Sequence, residues 1–191
     1  WNNDRIAVPS FQVPSHWPLF GALDYGEAAP SSFGLYSVDH DDNVYIVDLY
    51  RAHLNPSEQP DKIIETYKKF RPKRMKIETV AYQEALRQAV RKKMLEEDLF
   101  IPGLEKGYKP RTRKSERLIS MVPIFAKGKF HFRPQDDIAQ AEFLSYPRGK
   151  HDDIMDACWM ALDHAKPCKI KDMENQGKKS ATKTLLDWMT L

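Results

Sequence analysis

Hydrophobic and polar positions along the chain change period more than once. From Leu19 to Tyr50 the apolar residues fall in three short runs, Leu19 to Gly26, Ser32 to Val38 and Val44 to Tyr50. The last is rich in β-branched and aromatic side chains, and the runs predict three strands. Their short connections, one of them Asp39-His40-Asp41-Asp42-Asn43, predict an antiparallel meander. The period then lengthens. Ile63, Ile64, Tyr67 and Phe70 recur at helical spacing before Pro72, which predicts a helix from Ser57 to Phe70 with Ser57 and Asp61 in its first turn. Lys73 to Val80 returns to strand period and carries Glu78 near its end. Tyr82 to Glu97 reads as a second helix with Ala85, Leu86, Ala89, Val90 and Leu95 inward, and Leu99 to Pro102 as a candidate fifth strand. Strand, helix, strand in this order predicts parallel pairing.

Gly103 to Arg113 is a loop of Gly, Pro, Lys and Arg. Beyond it the pattern predicts a helix over Lys114 to Phe125, an exposed strand or hairpin arm over Lys129 to Arg133, and a helix over Gln135 to Ser145. A turn at Pro147-Arg148-Gly149 leads into a last helix, Asp152 to Ala165. Residues 1–20, with Pro9, Pro14 and Pro18, read as an extended lead-in. The folded unit is expected over 21–166, and 167–191, basic and poor in core residues, as a mobile tail.

A chain of 191 residues supports one domain with its own core, and 41% hydrophobic with 30% charged residues is ordinary for a globular protein. The net charge of +3 permits a polyanionic partner without demanding one. No apolar run reaches membrane-span length, and no phosphate-binding G-x-x-x-x-G-K-[ST] loop occurs. The two cysteines, Cys158 and Cys168, lack zinc-type spacing, which points to a reducing, intracellular setting. The start at Trp1 rather than Met reads as a fragment of something longer.

The chemistry concentrates in Gly149-Lys150-His151-Asp152-Asp153-Ile154-Met155-Asp156-Ala157, where three carboxylates fall within five residues. At 3.6 residues per turn, Ile154, Ala157, Cys158, Ala161, Leu162 and Ala165 share one face. Asp152 then lies nearly opposite, and Asp153 and Asp156 share the flank one turn apart. The helix macrodipole accounts for Asp152 better than for a third acid at Asp156. Asp24, set among apolar residues, either caps the turn at Tyr25-Gly26 or has a charged partner. Glu78 taken alone reads as a solvated glutamate on an edge strand. Together, acids from the first strand, the fourth strand and a late helix can converge on one point. Such a cluster suits Mg²⁺ or Mn²⁺, two ions roughly 3.5–4 Å apart that activate water and stabilise the leaving oxygen of a phosphodiester. Basic residues that would hold a polyanion crowd one loop and helix start: Lys106, Lys109, Arg111, Arg113, Lys114 and Arg117. Lys127, Lys129, Arg133, Arg148 and Lys150 follow. His151 is either a proton shuttle or an ordinary surface histidine.

This order of elements resembles the ribonuclease H-like nuclease superfamily. The resemblance implies an α/β fold, a ribonuclease H-like five-stranded mixed sheet flanked by helices. Within that superfamily the chain resembles the C-terminal nuclease domain of the large terminase subunit of tailed bacteriophages, from about Pro14 to Ala165. The matching residues are Pro14-Ser15-His16-Trp17-Pro18 ahead of Leu23-Asp24-Tyr25-Gly26, then Ile77-Glu78-Thr79 and Arg113-Lys114-Ser115-Glu116-Arg117-Leu118. The turn from Phe125 to Gly128 and the Gly149 to Ala157 segment complete them. The resemblance implies Asp24, Glu78 and Asp153 as catalytic metal ligands, Asp156 as an auxiliary ligand, and Asp152 and His151 as further candidates. It implies an endonuclease that cuts concatemeric viral DNA during genome packaging with two Mg²⁺ or Mn²⁺ ions, in the host cell cytoplasm. The implied partners are double-stranded DNA, a packaging ATPase domain of the same full-length chain, a portal protein and a small terminase subunit, with the isolated domain monomeric and no membrane involved. Two other readings compete. Another ribonuclease H-like enzyme would be a dimeric Holliday-junction resolvase preferring branched DNA, or a transposase core that joins strands as well as cutting them. A non-catalytic portal-docking module would leave its carboxylates without metal.

Overall fold

The computed structural model describes residues 13–25, 30–78, 81–163 and 165. Its elements are β1 (Leu19–Asp24), β2 (Ser31–Val38), β3 (Val44–Ala52), α1 (Gln59–Phe70), β4 (Arg74–Ile77), α2 (Ala81–Glu96), α3 (Lys114–Ala126), β5 (Phe130–His131), α4 (Asp137–Ser145) and α5 (Asp153–Leu162). They form one mixed sheet in the order β4-β1-β2-β3-β5. The first three strands are the predicted antiparallel meander. β4 returns parallel to β1, and β5 lies parallel to β3.

Alternation along the strands divides the core in two. Leu23, Phe33, Leu35, Met75 and Ile77 face one side, under Ile63 and Ile64 of α1 and Leu86, Val90 and Met94 of α2. Ala22, Tyr36, Val38, Val44 and Ile46 face the other, under α3, α4 and α5. β2 is buried along its whole length because both faces are covered. α5 packs on β1 and β2, presenting Ile154, Ala157, Cys158 and Ala161 to the core. Its alanines let the helix lie close to the strands, so whatever stands on its flank is carried into the sheet end.

Four details depart from the pattern. Leu99 to Pro102 is not a strand. Pro102 has no N–H to extend a ladder, and the segment makes one bond to β4, Met75 N–H to Pro102 O at 2.8 Å. It then turns at Gly103 (φ +97°), where any Cβ would collide with the Met75 carbonyl. The fifth strand is Phe130–His131 instead, and it is not exposed. Phe130 is fully buried, with ring centroids 4.6 Å from Phe125 and 4.9 Å from Phe132. Leu95 is 83% exposed, because Leu86, Val90 and Met94 at four-residue spacing supply the inward stripe of α2. β4 ends at Ile77, so Glu78 stands just beyond the strand. Residues 1–12 of the predicted lead-in and the predicted tail at 167–191 lie outside the described residues.

Candidate metal centre

β1 and β4 run parallel with Leu23 opposite Ile77. The next residue on each, Asp24 and Glu78, therefore stands at the same end of the sheet. Glu78 forms an isolated bridge with Tyr108, whose N–H donates to Ile77 O at 3.2 Å, so the 103–113 loop is fastened beside it. From above, the first turn of α5 brings in Asp156, only 2% exposed. One carboxylate oxygen from each of Asp24, Glu78 and Asp156 lies within 4.8 Å of the others.

Burial raises the proton affinity of all three acids, and the charge of Asp156 adds to it at Asp24 and at Glu78. The Asp24 carboxyl is pushed up to about 7, first by burial and then by Asp156 and Glu78, against the pull of Lys114. Burial and then Asp156 raise Glu78, with Arg117 and Lys114 opposing. Burial also raises Asp156 against the same two cations. Lys114 Nζ lies 3.7 Å from Asp156 Oδ2, and Arg117 Nη1 lies 2.7 Å from Asp156 Oδ1. Burial works against the charge of Lys114, but Asp152, Asp156 and Asp24 together raise its pKa. Arg117, 6% exposed, stacks on Trp159 at 5.3 Å. Trp159 Nε1 in turn donates to Ser120 Oγ at 3.0 Å. The Arg117 ion pair lacks hydrogen-bond geometry, and Asp156 Oδ1 is a buried oxygen that accepts no hydrogen bond. Three acids against two bases, all oxygen donors, with one oxygen left in that condition, fit a hard divalent cation of the Mg²⁺ or Mn²⁺ class.

The neighbouring acids take other partners. Asp153 Oδ2 lies 3.4 Å from Arg51 Nη2 and 3.8 Å from His151 Nδ1. It stands outside the three-oxygen group but close enough to add to the raised pKa of Asp24. Asp152, at the N-cap of α5, pairs with Lys114 at 2.8 Å. Of the basic residues, Lys114 and Arg117 belong to the cluster itself. Lys109 and Arg111 line an open groove with Glu84 and Tyr108. Lys106, Arg113, Arg148 and Lys150 are exposed. Lys127 and Lys129 border a separate cavity on Val38, Val44 and Ile124, and Lys129 Nζ donates to Asp41 O at 2.5 Å. Arg133 turns to Asp136 at 2.8 Å and to Val47 O at 2.7 Å.

Sequence reasoning missed two charged neighbours of this site, Arg51 and Glu142. The signal for Glu142 was its place beside Ala139 and Phe143 on the buried stripe of α4. That for Arg51 was the register: Asp24 is opposite Ser32, and Ser32 opposite Arg51.

A five-stranded mixed sheet with this strand order, helices on both faces and acids gathered where β1, β4 and α5 meet is a ribonuclease H-like α/β fold. No protein-family model matches the sequence, and no curated protein matches it. Solved structures do share the fold. The P22 large terminase nuclease domain superposes with a TM-score of 0.66 at 15% identity, over 90% of this chain and 94% of that one. The large terminase nuclease of the thermophilic phage G20c with bound zinc gives 0.62 at 16% identity, over 85% and 96%. The same nuclease has also been solved with magnesium and with cobalt. The large terminase of a second thermophilic bacteriophage, in complex with ADP, gives 0.62 at 15% identity, over 86% of this chain but 43% of that longer one.

Proposed function

We propose that this chain is a metal-dependent DNA endonuclease domain that cuts concatemeric viral DNA during genome packaging. The observation that carries the reading is the convergence of Asp24, Glu78 and Asp156 oxygens within 4.8 Å, on a fold shared with phage large terminase nuclease domains. We assign these three as the principal ligands and Asp153 as the next in line. The family resemblance implies Asp153 in third place, whereas the burial and distances of Asp156 favour the later residue. A pair of Mg²⁺ or Mn²⁺ ions, when bound, would supply an activated water and offset charge on the leaving oxygen. The chain's own contribution is to hold that chemistry in place. Arg117 and Lys114 fix Asp156 from the α3 side. Lys109, Arg111, Arg113, Arg148 and Lys150 are exposed cations suited to holding DNA phosphates without reading sequence, with Lys127 and Lys129 farther along.

Double-stranded DNA is the proposed substrate, and an ATPase domain in the same polypeptide is the proposed partner, supported by the longer large terminase solved with ADP. A portal protein and a small terminase subunit complete the proposed machine. We assign it to the host cell cytoplasm; no helix among the described residues is long and apolar enough to cross a membrane. The test is cleavage of supercoiled plasmid in Mn²⁺ or Mg²⁺ against EDTA, with Asp24→Asn alongside. Nicking and linearisation should need metal and vanish in the variant. No cleavage with either ion at low salt would overturn the reading. A strong preference for four-way junctions would move the assignment to a resolvase.

A further inference from the structure

The first turn of α5 is held by groups that lie outside α5. Asp152, its N-cap residue, makes no side-chain capping hydrogen bond, and its carboxylate is turned to Lys114 instead. The first amides of the helix are served from α4. Glu142 Oε1 accepts the Met155 N–H at 3.0 Å, and the Ile154 N–H is near enough to favour the same carboxylate's charge. Glu142 is 5% exposed. A carboxylate so buried needs a counter-charge, and Arg51 of β3 supplies it, with Nη1 3.6 Å from Glu142 Oε2. The same guanidinium reaches Asp153 Oδ2 at 3.4 Å. One arginine thus ties the capping residue to the first residue of the helix it caps.

We propose that Glu142, braced by Arg51, is a positioning residue for the metal centre, anchoring the first turn of α5 so that Asp156 enters the Asp24–Glu78 group while Asp153 is held aside. The inference rests on reading that group as a metal centre. Unanchored amides at a helix start leave the first turn free to fray. Asp156 stands in that turn, its own N–H bonded to Asp152 O at 3.0 Å. Fraying would move a ligand, and loss of an orienting partner typically costs a metal site roughly 10–100-fold in affinity.

The experiment combines calorimetric Mn²⁺ titration with amide hydrogen exchange in the wild type, Glu142→Ala, Glu142→Gln, Asp24→Asn and Ile63→Ala. Glu142→Ala should speed exchange at Ile154 and Met155 even without metal, and raise the Kd for Mn²⁺ roughly 10–100-fold. Glu142→Gln keeps an oxygen acceptor and should restore most of both. Ile63→Ala, in the α1 core on the far side of the sheet, should lower the melting temperature while leaving Kd unchanged. A Kd in Glu142→Ala within twofold of wild type, or an equal loss in Ile63→Ala, overturns the positioning role. Should Glu142→Ala not fold, Glu142→Asp takes its place: its shorter acid should weaken Mn²⁺ several-fold, and wild-type affinity there is the overturning result. Absence of any Asp24-dependent Mn²⁺ binding in the wild type would instead remove the metal-centre reading, and the positioning role with it.

Discussion

The two faces of the sheet come from the same alternating strands, yet they are finished in opposite ways. On the α1–α2 face the buried layer is aliphatic and aromatic, and its ion pairs, Lys93 with Asp61 and Lys68 with Glu97, link the two helices at the rim. On the α3–α4–α5 face, charges are part of the interior: Asp156, Arg117, Glu142 and Asp136 are all buried. Burying an apolar side chain contributes about 1.5–3 kcal/mol, whereas a buried charge at best breaks even with its partner. The first face therefore carries stability, and the second holds buried charges that add little to it.

That contrast breaks most sharply at the cluster. Asp24→Asn, Glu78→Gln and Asp156→Asn should each abolish plasmid cleavage. Asp24→Asn and Glu78→Gln should raise the melting temperature in metal-free buffer by relieving like-charge repulsion, whereas Asp156→Asn should lower it, because it leaves Arg117 buried without its counter-charge. Asp152→Ala should keep clear activity, and Asp153→Ala should fall between. Unfolding of the cluster variants, seen by circular dichroism, would erase the distinction between the faces. On the opposite face, Ile63→Ala should cost about 2–5 kcal/mol in urea denaturation, with unchanged specific activity of the folded protein.

A third test uses protons. Asp24 keeps its proton up to about pH 7 in the fold, mainly because of burial, whereas its ordinary value is 3.8. Between those values the unfolded chain binds fewer protons than the native one, so stability must fall as pH rises through that window. Metal-free protein should melt several degrees higher at pH 5 than at pH 8, at roughly 2–4 °C per kcal/mol. Asp24→Asn should flatten the slope, and an unchanged slope would put the titration elsewhere. The smallest effect belongs to the surface. Lys109→Ala or Arg111→Ala should lower the salt slope of DNA affinity by about 1 each and leave Mn²⁺ affinity alone.

How much of this could be read from sequence depended on distance along the chain. Strand runs and helical stripes are local, and they located the meander, the parallel return of β4 and the acids Asp24 and Glu78. The helical wheel also put Asp153 and Asp156 on one flank. It did not decide between them, because that depends on the height of α5 over the sheet and on Arg51, which meets Asp153 from a distant strand. Arg117 looked like one more surface cation in a basic run. Its burial follows from the packing of Trp159 and Asp156 against it, and neither is near it in sequence. Phe130 looked exposed for a similar reason: the aromatic cluster that covers it is assembled from α3, β5 and α4.

The three clustered acids stand at positions 24, 78 and 156, on the first strand, just past the fourth and on the last helix. Contacts between segments so far apart form late, because loop closure must precede them. On a ribosome the first two acids emerge long before α5 does. A growing or truncated chain should therefore carry every hairpin of the sheet and still have no complete acid cluster, which arrives only with the finished fold.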